Sequence, residues 1–306
     1  MSDEDLAALA ARAVYLRPQS GDREALPGFV VDRSLECASR GTGFFATGFA
    51  DREAGHMLLA LCGVDERADI PSCANLAMCQ YRPNRAPLLD YLGDPAWRRI
   101  TIAGHSLGGA LGQYLAYDLA RRRLDLDGRL EVFTFNGLGG LFGLRRLYGK
   151  LAPDALRRIR AVHYAHPQDV VPRIGGNLGG EMRVLPQDPD LPEDSHGIGA
   201  FLPRDGRSPL AGCVTVPDRP FRIAASARKL GPILHRTTLA WQSGRYGRAA
   251  IKTLTMLAAV PRQERREVAY LLAAMADAPF RYSRSMRSSA ERHRREQAAR
   301  RAEPAA

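Results

Sequence analysis

The chain has 306 residues, 45% of them apolar and 25% charged, an ordinary globular composition with length enough for a sizeable core. Its net charge of +11 is unevenly spread: residues 221–306 hold 18 Arg and Lys against 6 Asp and Glu, and residues 1–220 hold 26 against 27. No apolar run reaches the roughly 18 residues that cross a bilayer, and the acidic start Met1-Ser2-Asp3-Glu4-Asp5 lacks the basic and apolar regions of a secretory signal.

These features lead us to expect a cytoplasmic protein, or one exported without a cleaved signal peptide, with no transmembrane segment. Five cysteines (Cys37, Cys62, Cys73, Cys79 and Cys213) are an odd number without metal-ligand spacing. They read as free thiols in a reducing compartment, and no metal or cofactor is expected.

In chain order, residues 4–15 place Leu6, Leu9, Ala10, Ala13 and Val14 at helical spacing and predict an N-terminal helix. Residues 44–49 and 56–63 are apolar runs joined by Asp51-Arg52-Glu53-Ala54-Gly55, a hairpin signal. Residues 70–80 could form an apolar lid or a core helix, and the sequence does not choose. Residues 86–92 predict a short helix ending near Gly93-Asp94-Pro95. A strand over 99–104 runs directly into Ser106, a helix follows over 110–122, and strands follow over 130–135 and 159–164. This alternation predicts a mostly parallel central sheet flanked by helices.

Beyond about residue 216 the strand signals stop. Residues 224–241, 247–259, 262–276 and 285–301 look helical, and the last stretch offers almost nothing to bury. The expected organisation is therefore an α/β domain over 1–216 and a basic helical region over 217–306, its end a solvated helix or disordered. Asn136-Gly137-Leu138-Gly139-Gly140 lacks the Lys-Ser/Thr end of a phosphate-binding loop. It reads as a structural bend.

Gly104-His105-Ser106-Leu107-Gly108 has the Gly-x-Ser-x-Gly form of a nucleophile elbow. A strand that turns sharply into a helix strains the serine backbone and brings the positions two residues either side into collision, which glycine relieves. Gly104-His105-Ser106-Leu107-Gly108-Gly109-Ala110 resembles the active-site signature of the class 3, fungal-type lipase family, over roughly residues 40–200. The resemblance implies an α/β-hydrolase fold, a Ser-Asp-His triad and cleavage of acyl esters in lipids.

A serine hydroxyl needs a general base, and the base an orienting acid, in this fold in the chain order serine, acid, histidine. Asp169 follows the 159–164 strand, and Asp169-Val170-Val171-Pro172 is similar to the family's Asp-x-Val-Pro motif. His196 is the histidine downstream of that acid, in a loop and within the core region. His166 is the alternative base, and Asp194 a rival acid badly placed to hold the far nitrogen of His196. The backbone N–H of Leu107 is expected as one oxyanion donor. The family's Arg-Gly-Thr or Arg-Gly-Ser pattern aligns with Cys62-Gly63-Val64, which implies the N–H of Val64 as the second donor, without the family's hydroxyl.

The expected activity is a serine ester hydrolase, lipase or phospholipase A in type, acting through an acyl-enzyme on a lipid or acyl ester. Lacking a signal peptide, it would be an intracellular esterase or a secreted effector. The alternative is an idle hydrolase fold that binds through its basic helices, which the missing hydroxyl at Val64 mildly favours. Those helices either contact an anionic membrane or pack on the core or a protein partner. Nucleic acid is not expected, because the segment is short of stacking aromatics.

Overall fold

A computed structural model of the chain describes residues 1–36, 44–63, 76–169, 171–186 and 195–220. Eight strands form one sheet, in sequence order across it: β1 Val30–Glu36, β2 Phe45–Asp51, β3 His56–Leu61, β4 Arg99–His105, β5 Leu130–Phe135, β6 Ile159–Ala165, β7 Glu181–Val184 and β8 Val214–Pro217. β3 to β7 run parallel, while β1, β2 and β8 add antiparallel edges. β3 and β5 are buried along their whole length, as both faces of a parallel sheet are covered. The expected hairpin is β2 and β3, paired antiparallel from Ala46↔Leu61 to Asp51↔His56.

Five helices complete the described chain: α1 Asp3–Ala13, α2 Met78–Leu92, α3 Leu107–Arg122, α4 Leu141–Tyr148 and α5 Pro153–Arg157. α1 covers one face of the sheet, with Leu26, Phe29 and Phe201 beside it. α2 and α3 cover the other, with Tyr81 and Tyr114 buried between them. Among the described residues no helix is long and apolar enough to cross a membrane.

α1 starts on a capping box in which Ser2 and Asp5 satisfy each other's backbone N–H groups. Its buried face is not the one that the leucines suggest. Ala7, Ala8, Ala10 and Ala11 are fully buried, while Leu6 and Leu9 pack at the margin. A helix that sits close on a sheet needs small residues at the contact, and its larger side chains splay to the sides.

α2 is longer than the predicted 86–92 segment because it runs through Pro83 and Pro87. Each proline removes one N–H from the ladder, so local propensity argues against the helix. Tertiary contacts outweigh it. Tyr81 and Arg85 on α2 both bond the buried Asp118 on α3, Arg85 Nε at 2.6 Å. The C-terminal part of the 70–80 segment belongs to this core: Ala77, Met78 and Gln80 are buried. Residues 70–75 lie outside the described residues.

The Gly-rich bend after β5 is structural. A Cβ on Gly139 would stand 2.2 Å from the Gly176 carbonyl oxygen, and one on Gly137 3.0 Å from the Gly109 Cα. β8 ends at Pro217, and the Asp218 carboxylate accepts the Asn177 N–H at 2.6 Å, so ordered contacts continue past residue 216. The predicted helices from residue 221 onward lie outside the described residues.

Candidate active site

Ser106 stands between β4 and α3 with φ 56° and ψ −124°, a conformation costly for a residue with a Cβ. The surrounding backbone holds it there. Ser106 N–H donates to the Phe135 carbonyl at 3.2 Å, and its own carbonyl accepts from Gly109 at 3.0 Å and Leu138 at 2.9 Å. The glycines are required by contact. A Cβ on Gly104 would meet the Gly108 carbonyl oxygen at 2.3 Å, and one on Gly108 would meet that of Leu61 at 2.2 Å. Leu107 opens α3, where the first amides have no acceptor one turn back and the helix dipole presents its positive end.

His196 and Asp169 reach Ser106 from two further loops. His196 Nε2 lies 2.9 Å from Ser106 Oγ, and His196 Nδ1 lies 2.7 Å from Asp169 Oδ2. Asp169 sits in the turn after β6, its N–H donating to the His166 carbonyl at 3.0 Å. Its second oxygen, Oδ1, accepts the Val171 N–H at 3.1 Å. The carboxylate is therefore oriented from both sides and nearly closed to solvent, with 5% of its side chain exposed against 24% for His196.

The alternative base, His166, stands in the turn that holds Asp169. His166 Nδ1 accepts the backbone N–H of Gln168 at 3.2 Å, within its own turn. Asp194 and Val64 lie outside the described residues. Gly63, one residue earlier, is packed against Ser106: a Cβ there would come within 2.9 Å of Ser106 Cβ.

Residues 87–178, from α2 through the Ser106 and Asp169 turns, match the family model of lipase (class 3). The likeness to class 3 lipases rests on this span, which is under a third of the chain. The mostly parallel sheet with helices on both faces is the expected α/β-hydrolase architecture, and the match points to carboxylic ester hydrolysis. Ser106 and Asp169 fall inside the matched span, and His196 beyond it.

Among solved structures, the chain is similar to an MDLA mutant of Penicillium cyclopium, at 14% identity over 70% of this chain and 84% of that one, TM-score 0.47. It is similar to a Rhizomucor miehei lipase–propeptide complex, at 15% identity over 59% and 66%, TM-score 0.43. Lipase II from Rhizopus niveus matches at 17% identity over 59% and 78%, TM-score 0.40. None of the curated proteins compared matches the chain.

Two residues that approach the Ser106, Asp169 and His196 segments carry no motif of their own. Asn136, in the left-handed region at φ 46°, donates from Nδ2 to the Ser195 carbonyl at 2.8 Å. Tyr15, from the 3-10 turn after α1, bonds His105 Nδ1 at 2.8 Å. The local signal for the first is an asparagine heading a glycine-rich bend, since asparagine tolerates positive φ. For the second there is none, because 90 residues separate the partners.

Proposed function

We propose that the chain cleaves acyl esters of lipids, as a lipase or phospholipase A, with Ser106 as nucleophile, His196 as general base and Asp169 as the acid that orients it. The observation that carries this reading is the unbroken hydrogen-bonded line from Asp169 through His196 to Ser106 Oγ.

A carboxylate accepts only, so the proton on Nδ1 points at Asp169 and leaves Nε2 with its lone pair toward Ser106. Ser106 Oγ then attacks the ester carbonyl carbon while its proton passes to Nε2. The tetrahedral oxyanion takes the Leu107 N–H, with the Val64 N–H as the proposed second donor. Removing one such donor costs about 3 kcal/mol of transition-state stabilisation. Collapse of the intermediate expels the alcohol, which leaves with the proton from His196. Water, deprotonated by His196, attacks the acyl-Ser106 carbonyl, and the fatty acid departs as the Ser106 hydroxyl re-forms.

The basic residues 221–306 would bring this site to an anionic lipid surface. The compartment we propose is the cytoplasm, or the exterior after export.

The test is reaction of the full chain with a fluorophosphonate probe and hydrolysis of short- and long-chain p-nitrophenyl esters and a phospholipid, beside Ser106→Ala. Labelling at Ser106 and Ser106-dependent hydrolysis are expected, stronger for long acyl chains above the micelle threshold. A folded protein with neither labelling nor hydrolysis would overturn the proposal in favour of an idle binding module. Loss of anionic-vesicle binding on truncation at residue 220 would support the membrane role.

A further inference from the structure

We propose that Tyr15 and His105 are positioning residues for the catalytic base, forming one hydrogen-bonded relay from the Gly63 backbone to the backbone carbonyl of His196. The inference rests on the reading of Ser106 as nucleophile and His196 as base.

The relay has three bonds. Gly63 N–H lies 3.0 Å from Tyr15 Oη, Tyr15 Oη lies 2.8 Å from His105 Nδ1, and His105 Nε2 lies 2.7 Å from the His196 carbonyl oxygen. Their directions follow from chemistry. A carbonyl only accepts, so His105 Nε2 carries its proton. In the neutral ring Nδ1 is then the acceptor, so the Tyr15 hydroxyl donates to it. That leaves a lone pair on Tyr15 Oη for the Gly63 N–H. Each member donates one proton along the line, from the β3 end toward the base loop.

Both ends touch the nucleophile's surroundings. Gly63 has no room for a Cβ, which would stand 2.5 Å from Tyr15 Oη, 2.7 Å from the His105 carbonyl oxygen and 2.9 Å from Ser106 Cβ. At the other end the accepting carbonyl belongs to His196 itself, whose ring lies 5.1 Å from the His105 ring between centroids. His105 is buried, at 7% exposure, so its ring position is set by packing.

Tyr15 arrives because the alanine face of α1 docks close on the sheet and the following 3-10 turn ends in Arg17 at φ 49°. The N-terminal helix thus places one hydroxyl that fixes two loops at once. Neither residue touches the reacting atoms. They act through where the His196 backbone sits, and small misplacements of a base are costly in rate.

The test compares wild type, Tyr15→Phe, His105→Gln and His105→Leu as full chains. The readouts are fluorophosphonate labelling rate, kcat and KM on p-nitrophenyl butyrate, and thermal midpoint. Tyr15→Phe should lower kcat and the labelling rate about tenfold, with KM changed less than about twofold and the midpoint shifted by only a few degrees. His105→Gln keeps a donor toward the His196 carbonyl and should retain several-fold more kcat than His105→Leu. The double variant Tyr15→Phe/His105→Leu should fall no further than His105→Leu alone, as members of one relay are not additive.

Wild-type kcat and labelling in Tyr15→Phe, with only a lowered midpoint, would mean a purely structural tyrosine and overturn the inference. If Tyr15→Phe does not fold, equal kcat in the two His105 variants overturns it instead. Wild type that is itself unlabelled and inactive removes the catalytic reading and this inference with it. A labelled wild type with indistinguishable variants removes the inference alone.

Discussion

The Asn136 side chain bridges the two loops that carry His196 and Asp169. Its Nδ2 donates to the Ser195 carbonyl at 2.8 Å, and its Oδ1 accepts the His166 N–H at 2.8 Å. Ser195 immediately precedes the proposed base, and His166 opens the turn that holds the proposed acid. The residue is fully buried, and its backbone N–H is fixed to the Tyr164 carbonyl at 2.9 Å.

Asn136→Asp should therefore impair the site beyond its effect on folding. The carboxylate still accepts from His166 but faces the Ser195 carbonyl with no proton to give. We expect kcat to fall about tenfold or more and stability to fall by about 2 kcal/mol. Urea unfolding and steady-state kinetics on one sample separate the two effects. Unchanged kcat would show that the bridge does not set the geometry of the proposed triad.

Gly104→Ala should unfold the elbow. The new Cβ would stand 2.3 Å from the Gly108 carbonyl oxygen and 2.8 Å from the Gly109 nitrogen. Those atoms are backbone and cannot rotate aside. A loss of about 3 kcal/mol or more is expected, with loss of labelling at Ser106. Gly199→Ala, which meets nothing within 4 Å, should stay within about 0.5 kcal/mol of wild type. Chemical denaturation of the two variants checks the contrast.

The sheet was readable where burial is continuous. The run 130–135 is buried throughout and marks β5 to the residue, and the buried second half of 159–164 marks β6. The edges are not: β1 reads Val-Val-Asp-Arg-Ser-Leu-Glu and the short β8 is mostly exposed, so neither shows the pattern of a covered strand. Ser106, Asp169 and His196 stood out because each is a reactive residue type in a turn-forming context, and the structure brings these three together. Tyr15 and Asn136 did not, because their roles are contacts across 90 and 59 residues. α2 was misjudged for a related reason: Pro83 and Pro87 are local signals, while the contacts of Tyr81 and Arg85 with Asp118 that overrule them are not.

Asp118→Asn tests that last contact. Burial works against ionisation of Asp118, yet hydrogen bonds from Arg85, Tyr148 and Tyr81 hold its carboxyl below the ordinary carboxylate value. A carboxylate with a lowered native pKa adds stability at neutral pH, and that stability is lost as the pH falls below about 4 through the native value. Removing the charge leaves Arg85 and two tyrosine hydroxyls poorly matched. We expect a loss of about 3 kcal/mol at pH 7, with the gap between variant and wild type narrowing in acid. A gap that stays constant down to pH 2.5 would contradict the assignment.

His163 gives the opposite residue type the same sign. It is fully enclosed, its Nε2 donating to the Leu178 carbonyl at 2.8 Å and its Nδ1 accepting from Thr134 Oγ1 at 2.8 Å. Burial pushes the imidazole down to about 4 from its ordinary 6.5. Between those values the unfolded chain binds a proton that the native state refuses, so stability rises with pH across that window. About 3 kcal/mol should be lost on this account as the pH falls from 6.5 to 4. His163→Gln carries no such proton, so its stability should depend less steeply on pH there, whatever its cost at pH 7. Urea midpoints of the two proteins at intervals from pH 7.5 to 4 measure the difference. Parallel curves would mean that His163 accepts its proton in the native state, and that the hydrogen bonds to Leu178 and Thr134 do not keep it neutral.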